Sequence, residues 1–286
     1  MKITEIIKLG KSSLSFEVFP PKTTDKYETV SRAVKEIAML SPSYMSVTYG
    51  AGGGTSVYTA QIAKEIASYG ITPLAHLSCV SSTKEEILTK LYELNKLGVE
   101  NILALRGDLP SMPGSMSMDY KYAYELIDDI KTHYDFCVGG ACYPEGHPES
   151  ETIEKDIFYL KNKVDHGCDF LTTQMFFEND VFYRFLERRG NAGINVPVIA
   201  GLMPVTSISQ FTRIFTLSGS EIPRALLDEL MKYQDDPVSF KKAGIEYTCK
   251  QAQDLADKGC RAVHIYSMNK SDVSAAIQNN LRGILT

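Results

Sequence analysis

Short apolar runs alternate along the whole chain with longer stretches in which apolar residues recur at helical spacing. The short runs predict buried strands, because they are bounded by Gly, Pro and polar residues. Eight such strands are predicted, at residues 14–19, 44–49, 72–79, 101–108, 136–143, 170–175, 196–202 and 262–267. Helical regions are predicted between them at about 25–40, 57–69, 84–97, 119–132, 151–166, 179–189 and 207–258, with a closing helix from about 272.

The strict alternation of strands and helices predicts a parallel sheet of the α/β class. Eight repeats within 286 residues favour closure of that sheet into a (β/α)8 TIM barrel, and a doubly wound open sheet is the alternative. No linker or break in composition divides the sequence, so residues 1–286 are expected to form a single catalytic domain. In a barrel of this kind the functional site gathers at the carboxyl ends of the strands.

The composition narrows the class of partner. A formal net charge of -5 argues against a nucleic-acid partner, whose phosphates require clustered Lys and Arg. No apolar run approaches the roughly 18 residues that span a membrane, and residues 1–5 do not resemble a signal peptide. The six cysteines contain no C-x-x-C pair, which favours a reducing cytoplasm over a disulfide framework or a zinc site.

Glu17 stands inside an apolar strand that Pro20 and Pro21 terminate. A carboxylate in a buried strand is costly to desolvate, so it is usually paired, protonated or catalytic. For a single such residue, the alternative is a side chain that points from an edge strand into water. Further polar residues lie at or just beyond the ends of other predicted strands, namely Thr48, Tyr49, His76, Arg106, Asp108, Tyr143, His147, Gln174 and Lys270.

Each of these residues also has an ordinary structural interpretation. His76 fits a hydrogen-bonded core histidine, and Arg106 with Asp108 fits a local ion pair. As a set they all fall at strand ends, which one barrel mouth would bring together, so a shared site is the favoured interpretation.

Several barrel and nucleotide chemistries are disfavoured by residue type. The glycine run at 50–55 reads G-x-G-x-x-T, and no acidic residue follows at the end of the next strand, so a dinucleotide fingerprint is weak. No predicted strand contains the lysine that a Schiff-base aldolase requires. No His-x-His pair is present, and no metal site is predicted. The remaining aromatic and polar residues suit a flat, uncharged ring system and an acid–base pair.

Five segments together resemble the methylenetetrahydrofolate reductase family, in the same order along essentially the whole chain. They are residues 16–21 (FEVFPP), 46–51 (SVTYGA), 104–108 (ALRGD), 143–148 (YPEGHP) and 173–177 (TQMFF). The length is similar to that of the short bacterial form. The resemblance implies a (β/α)8 barrel that binds FAD non-covalently and reduces 5,10-methylenetetrahydrofolate to 5-methyltetrahydrofolate. NADH or NADPH would supply the hydride in a ping-pong cycle.

The resemblance also implies residue roles and partners. The implied FAD contacts are Thr48, Tyr49, Ala51, His76, Arg106, Gly107, Asp108, Ala123, Tyr143, His147, Asp156 and Lys163, with Arg106 and Lys163 at the diphosphate. The implied folate contacts are Glu17, Asp108, Gln174, Gln210 and Lys270, with Glu17 and Asp108 catalytic. Glu17 would act as the general acid, since a Glu inside an apolar strand acquires the raised pKa that this role needs.

The resemblance also implies a homo-oligomer. The alternative is a flavin- and folate-binding subunit that takes electrons from a partner protein.

The sequence departs from the family pattern at a few positions. Lys270 stands where the family commonly has Arg, so a contact to the glutamate tail of folate would be monodentate. Ile214 and Met175 stand where Phe is common, and Cys142 stands where Ala is expected. These departures concern the stacking of nicotinamide and the tail of the substrate.

Overall fold

The computed structural model describes residues 1–8, 12–49, 56–80, 82–108, 119–217 and 221–285. Eight parallel strands form a closed barrel in which each strand pairs with the next and the eighth pairs with the first. The strands are β1 (Ser13–Val18), β2 (Met45–Val47), β3 (Pro73–Ser78), β4 (Asn101–Leu105), β5 (Cys137–Cys142), β6 (Phe170–Thr173), β7 (Val198–Leu202) and β8 (Ala262–Ile265). The predicted (β/α)8 barrel is therefore confirmed, and the doubly wound alternative is wrong.

Most of the helices connect the strands on the outside of the barrel, while the first helix precedes β1 and the last follows β8. They are α1 (Ile3–Lys8), α2 (Tyr27–Ala38), α3 (Ser56–Ser68), α4 (Lys84–Lys96), α5 (Ala123–His133), α6 (Ile153–Asp165), α7 (Asn179–Asn191), α8 (Ile208–Leu217), α9 (Arg224–Met231), α10 (Pro237–Asp257) and α11 (Ser271–Asn280), with a 3-10 turn at Thr24–Lys26 before α2. The predicted helical region 207–258 consists of α8, α9 and α10. Helix α1 was not predicted from the sequence.

Helix α1 closes the end of the barrel at which β4 begins. The side chain of Ile3 is fully buried against the apolar side chains that fill the barrel interior. Asn101, the first residue of β4, accepts a hydrogen bond from the backbone N–H of Ile3 at 2.8 Å and donates one to the carbonyl of Met1 at 3.0 Å. These bonds satisfy polar groups that the burial would otherwise leave unpaired, and they fix the N-terminus opposite the candidate site.

The two faces of β1 show why Glu17 lies inside the barrel. Leu14, Phe16 and Val18 pack outward in the main apolar core with residues of the surrounding helices. Successive side chains of a strand point to opposite faces, so Ser15 and Glu17 point inward. Since β1 pairs with both β2 and β8, it is not an edge strand. The interpretation of Glu17 as a solvated edge residue is therefore wrong.

Candidate active site

Glu17 is the buried carboxyl group of the site. Its residue is 6% exposed, and burial raises the pKa of its carboxyl to about 8. The Nε2 atom of His76, on β3, lies 3.7 Å from Oε2 of Glu17. Burial also lowers the pKa of His76 to about 3, so the imidazole is neutral at physiological pH. The pair consequently places a protonated carboxyl, and therefore an available proton, in the buried interior of the barrel.

Next to Ser15, two residues before Glu17, lies a hydrogen-bonded histidine that the sequence did not single out. His264 of β8 contacts Ser15 Oγ through Nδ1 at 2.8 Å and Ser46 Oγ through Nε2 at 3.0 Å. Its ring stacks on Tyr44 with centroids 5.5 Å apart and planes inclined by 6°. His264 therefore ties β8 to β1 and β2 just before Glu17 and Thr48. The sequence signal that could have indicated a polar cluster here was the recurrence of small hydroxyl residues at every second position of otherwise apolar strands.

Thr48 and Tyr49 follow β2 at the barrel mouth. The N–H of Thr48 donates to the carbonyl of Val18 at 3.0 Å, and its own carbonyl accepts from Thr59 Oγ1 at 3.0 Å. The ammonium of Lys90, on α4, contacts the hydroxyl of Tyr49 and lies 4.9 Å from the centroid of its ring. Lys90 was not predicted as a site residue. Ala51 and the glycine run lie outside the described residues.

Arg106 and Asp108 flank Gly107 at the end of β4. The guanidinium of Arg106 donates to both carboxylate oxygens of Glu149, at 2.6 and 2.8 Å, and this pairing raises its pKa. The alternative interpretation of Arg106 and Asp108 as a local ion pair is wrong, because Arg106 pairs with Glu149 and Asp108 is exposed. Gly107 has a φ of +89°, and a Cβ placed there would lie 3.0 Å from Cβ of Ser78. The backbone at this turn therefore requires glycine.

Glu149 joins Arg106 to the aromatic residues that follow β5. The N–H of Glu149 donates to Nδ1 of His147 at 3.1 Å. The ring of His147 meets that of Tyr143 edge to face, with centroids 4.5 Å apart. Burial raises the pKa of Tyr143 to about 12 and lowers that of His147, so both rings are uncharged at physiological pH. Glu149 was missed because it lies one residue beyond the recognised segment 143–148.

Lys163, on α6, places its ammonium group against β5 in the same region. Its ammonium donates to the carbonyl of Ala141 at 2.8 Å, and desolvation by the surrounding protein lowers its pKa. Asp156, two turns earlier on the same face of α6, accepts from Ser150 Oγ at 3.2 Å, and burial raises its pKa. No carboxylate among the described residues lies within ion-pair distance of Lys163. An ammonium with spare donors in this setting suits an anionic ligand.

Gln210 and Lys270 meet at Thr206, in the segment after β7. Gln210 accepts through Oε1 from the N–H of Thr206 at 3.0 Å and from its hydroxyl at 2.8 Å, and it donates to the carbonyl of Pro204 at 3.1 Å. Lys270 donates to Oγ1 of Thr206 at 2.5 Å, and desolvation lowers its pKa. The two predicted folate contacts thus share one polar cluster, and Thr206 is a member that sequence reasoning missed.

The remaining predicted positions lie at the same end of the barrel. Gln174 directly follows β6, and its Oε1 accepts from the N–H of Met175 at 2.9 Å. Ala123 is the buried first residue of α5. Ile214 is buried in an apolar cluster with Val205 and other residues of the segments around α8 to α10.

The contacts divide the site into three groups. Glu17 and His76 form the first, while Arg106, Glu149, His147 and Tyr143 form the second around β4 and β5. Thr206, Gln210 and Lys270 form the third around β7 and β8. Within the part of the chain that the structure describes, no cluster of His, Cys, Asp and Glu suits a metal ion. The described helices also include none of the length and apolar character that a membrane span needs.

Comparison with solved structures supports the fold independently. An uncharacterised protein from Clostridium thermocellum, described as binding two copies of 5-methyl-5,6,7,8-tetrahydrofolic acid, superposes with a TM-score of 0.66. The match covers 100% of both chains at 18% sequence identity. At that level of identity the likeness shows a shared fold.

Sequence comparison gives the family. The family model for methylenetetrahydrofolate reductase matches residues 2–282. The 5,10-methylenetetrahydrofolate reductase of Escherichia coli is 33% identical over 273 residues, which cover 95% of this chain and 91% of that protein. Methylenetetrahydrofolate reductase (NADH) 1 of Arabidopsis thaliana is 30% identical, over 98% of this chain and 50% of the plant protein. The chain therefore belongs to the methylenetetrahydrofolate reductase family, and it is an oxidoreductase that acts on methylenetetrahydrofolate.

Proposed function

We propose that this chain reduces 5,10-methylenetetrahydrofolate to 5-methyltetrahydrofolate with NADH or NADPH, through non-covalently bound FAD and with Glu17 as the general acid. The observation that carries the proposal is the protonated carboxyl of Glu17 near the carboxyl end of β1, with a pKa of about 8. An acid is most effective when its pKa lies near the working pH, because it then holds a proton and still releases it.

The residues around β4 and β5 fit FAD. Lys163 supplies an ammonium that has no carboxylate partner among the described residues. Arg106 supplies a guanidinium, which its ion pair with Glu149 holds at the mouth of the barrel. The absence of a side chain at Gly107 allows a close approach to the backbone, and the uncharged rings of Tyr143 and His147 offer apolar surface. Thr48, Tyr49, Ala51, His76, Asp108, Ala123 and Asp156 complete the proposed FAD site. Bound FAD would carry the hydride from the nicotinamide to the folate.

The polar groups on the opposite side suit the folate. Gln174 offers an amide to the edge of the pterin ring without adding charge. Gln210 and Lys270, joined through Thr206, offer an amide and a cation, and the cation suits a carboxylate of the glutamate tail. The folate derivative bound by the structurally similar Clostridium thermocellum protein agrees with a folate ligand on this barrel.

In the proposed reaction, residues of the chain donate one proton to the substrate and stabilise one positive charge on it. Glu17 would protonate N10 of the substrate, which opens the five-membered ring and leaves an electrophilic iminium carbon. The exposed carboxylate of Asp108 would stabilise the positive charge of that iminium group. Burial keeps Glu17 protonated until the substrate nitrogen arrives, and it excludes the water that would compete for the proton.

A flavin half-reaction assay tests the proposal. The purified chain is expected to show an FAD spectrum that NADH or NADPH bleaches and that methylenetetrahydrofolate restores. A chain that binds no flavin after reconstitution contradicts the proposal. Bound FAD that neither nucleotide bleaches, together with a co-purifying chain, indicates the alternative of a subunit that receives electrons from a partner protein. We further propose a homo-oligomer in the cytoplasm whose residues 1–286 are one catalytic domain, and sizing chromatography tests the oligomer.

A further inference from the structure

Nε2 of His76 is a buried polar atom without a hydrogen-bond partner among the described residues. The nearest carboxylate oxygen is Oε2 of Glu17, at 3.7 Å, which is beyond hydrogen-bond length but within ion-pair range. Both side chains are 8% exposed. An unpartnered polar atom in such a place is costly, so its persistence calls for an explanation.

His264 provides an internal comparison, because it is buried in the same barrel interior. Both of its ring nitrogens lie within 3.0 Å of serine hydroxyls, and its role in joining three strands accounts for it. His76 makes no such structural bond through Nε2. Nε2 of His76 instead lies 3.7 Å from Oε2 of Glu17, and no structural hydrogen bond among the described residues accounts for this placement.

We propose that His76 is the positioning residue for proton release from Glu17: its Nε2–H donates a hydrogen bond to the Glu17 carboxylate that forms when the proton leaves. This inference rests on the proposed role of Glu17 as the acid. The O–H bond of Glu17 breaks, its electron pair stays on the carboxylate, and the proton forms an N–H bond on the substrate. Closing the 3.7 Å separation by less than one ångström creates the hydrogen bond.

A neutral imidazole suits this role better than a charged one. Burial lowers the pKa of His76 to about 3, so the ring gives a hydrogen bond and not a permanent positive charge. A permanent cation would ionise Glu17 before the substrate arrives, whereas a neutral donor stabilises the carboxylate only after it forms. His76 therefore limits how strongly burial suppresses proton release.

The other groups that face this pair remain uncharged. Tyr44, before β2, and Tyr266, after β8, both interact electrostatically with Glu17, and burial raises the pKa of each above its ordinary value. His264, on β8, interacts with His76, and burial lowers its pKa to about 3. A change in the titration of Glu17 between about pH 6 and pH 9 therefore reports on His76 and not on these neighbours.

The test is an infrared titration of the full-length chain as purified. The protonated-carboxyl band that disappears in Glu17→Gln belongs to Glu17. In His76→Phe, which keeps a ring but has no N–H, the midpoint of this band is expected to rise by about one pH unit or more. In His76→Gln, whose amide donates, the midpoint stays closer to the wild-type value. An unchanged or lowered midpoint in a folded His76→Phe protein overturns the inference.

Nitrogen NMR of the histidine-labelled wild-type chain supplies a readout that does not depend on whether His76→Phe folds. Above the titration of Glu17, the signal that is missing in His76→Gln is expected to be a neutral ring with its proton on Nε2. A proton on Nδ1 alone, or a protonated ring, overturns the inference. Neither measurement uses turnover, so a failed flavin assay with a shifted midpoint contradicts the proposed function and leaves the coupling of the two residues standing.

Discussion

Arg106 and Glu149 form a bidentate ion pair across the ends of β4 and β5, although they are 43 residues apart in the sequence. The side chain of Arg106 is 23% exposed and that of Glu149 is 53% exposed, so the guanidinium is the more enclosed partner. The pair holds a planar cation at the mouth of the barrel, where the proposed cofactor diphosphate would meet it.

Replacement of Arg106 by Ala is expected to weaken FAD binding by roughly 10- to 100-fold, because charge-assisted hydrogen bonds to a diphosphate are lost. Flavin fluorescence titration measures the change. Glu149→Gln, which removes the competing carboxylate, is expected to bind FAD at least as tightly as the wild type. Arg224→Ala, on an exposed ion pair of α9, is the matched control. An Arg106→Ala protein that binds FAD like this control contradicts the assignment.

Glu17 is expected to make the free energy of unfolding fall as pH rises. Its carboxyl is protonated in the folded state up to about pH 8 but ionises near pH 4.5 when unfolded. In the folded state Glu17 therefore keeps a proton that it has lost in the unfolded state between these values, so the Glu17 contribution to the free energy of unfolding falls by about 1.4 kcal/mol per pH unit. This stabilising contribution of protonated Glu17 is fully present below pH 4.5 and is lost as the pH rises to about 8.

Denaturant unfolding of the wild type and Glu17→Gln at several pH values measures this effect. Between pH 4.5 and pH 8 the difference in unfolding free energy between the variant and the wild type is expected to shift by roughly 3–5 kcal/mol in favour of the variant, since its amide does not ionise. Glu151→Gln, at an exposed carboxylate paired with Lys155, is the control and is expected to show no comparable slope. Parallel curves for the wild type and Glu17→Gln would exclude a raised pKa.

The same Glu17→Gln variant separates the two half-reactions. It is expected to bind FAD and to be reduced by NADH or NADPH at nearly the wild-type rate, because neither step needs the carboxyl proton. Reoxidation by methylenetetrahydrofolate is expected to fall by at least 100-fold, the usual contribution of a general acid. Stopped-flow absorbance of the flavin follows both steps. Equal losses in the two half-reactions would indicate a structural role for Glu17.

Gly107→Ala is expected to destabilise the protein and to weaken FAD binding. A non-glycine residue in the left-handed conformation lowers the free energy of unfolding by about 1–2 kcal/mol. The added Cβ would also lie 3.0 Å from Cβ of Ser78, and this overpacking lowers it by roughly a further 1–3 kcal/mol. Gly259→Ala is the control, because its φ of +88° matches while no atom lies within 4 Å of the added Cβ. Thermal unfolding of the two variants isolates the cost of close approach, and equal losses would show that Ser78 adjusts.

Lys270→Ala is expected to raise the KM for methylenetetrahydrofolate about tenfold, through loss of one charge-assisted contact to the glutamate tail. Reduction of the flavin by the nicotinamide is expected to be unaffected. Lys258→Ala, which removes an exposed ion pair with Asp254 at the end of α10, serves as the control. Steady-state kinetics measure the change, and an unchanged KM places the tail elsewhere.

The local sequence determined most of the architecture. Apolar runs such as 101–105 and 170–173 lie between helical stretches, and this alternation predicted all eight strands because a buried parallel strand needs apolar side chains on both faces. Helix α1 escaped prediction because six residues carry little periodicity. Its stability depends on Ile3 and on Asn101, 98 residues away.

The sequence also determined that Glu17 stands in an apolar strand, and its family motifs predicted the residues of the site. Only the tertiary structure decided which face of β1 carries the carboxyl, because alternation along a strand does not state which face is inside. Closure of the barrel pairs β8 with β1, and this pairing brings His264 to Ser15 although they are 249 residues apart. The environment that raises the pKa of Glu17, and the 3.7 Å approach of His76, exist only because desolvation and distance are properties of the folded chain.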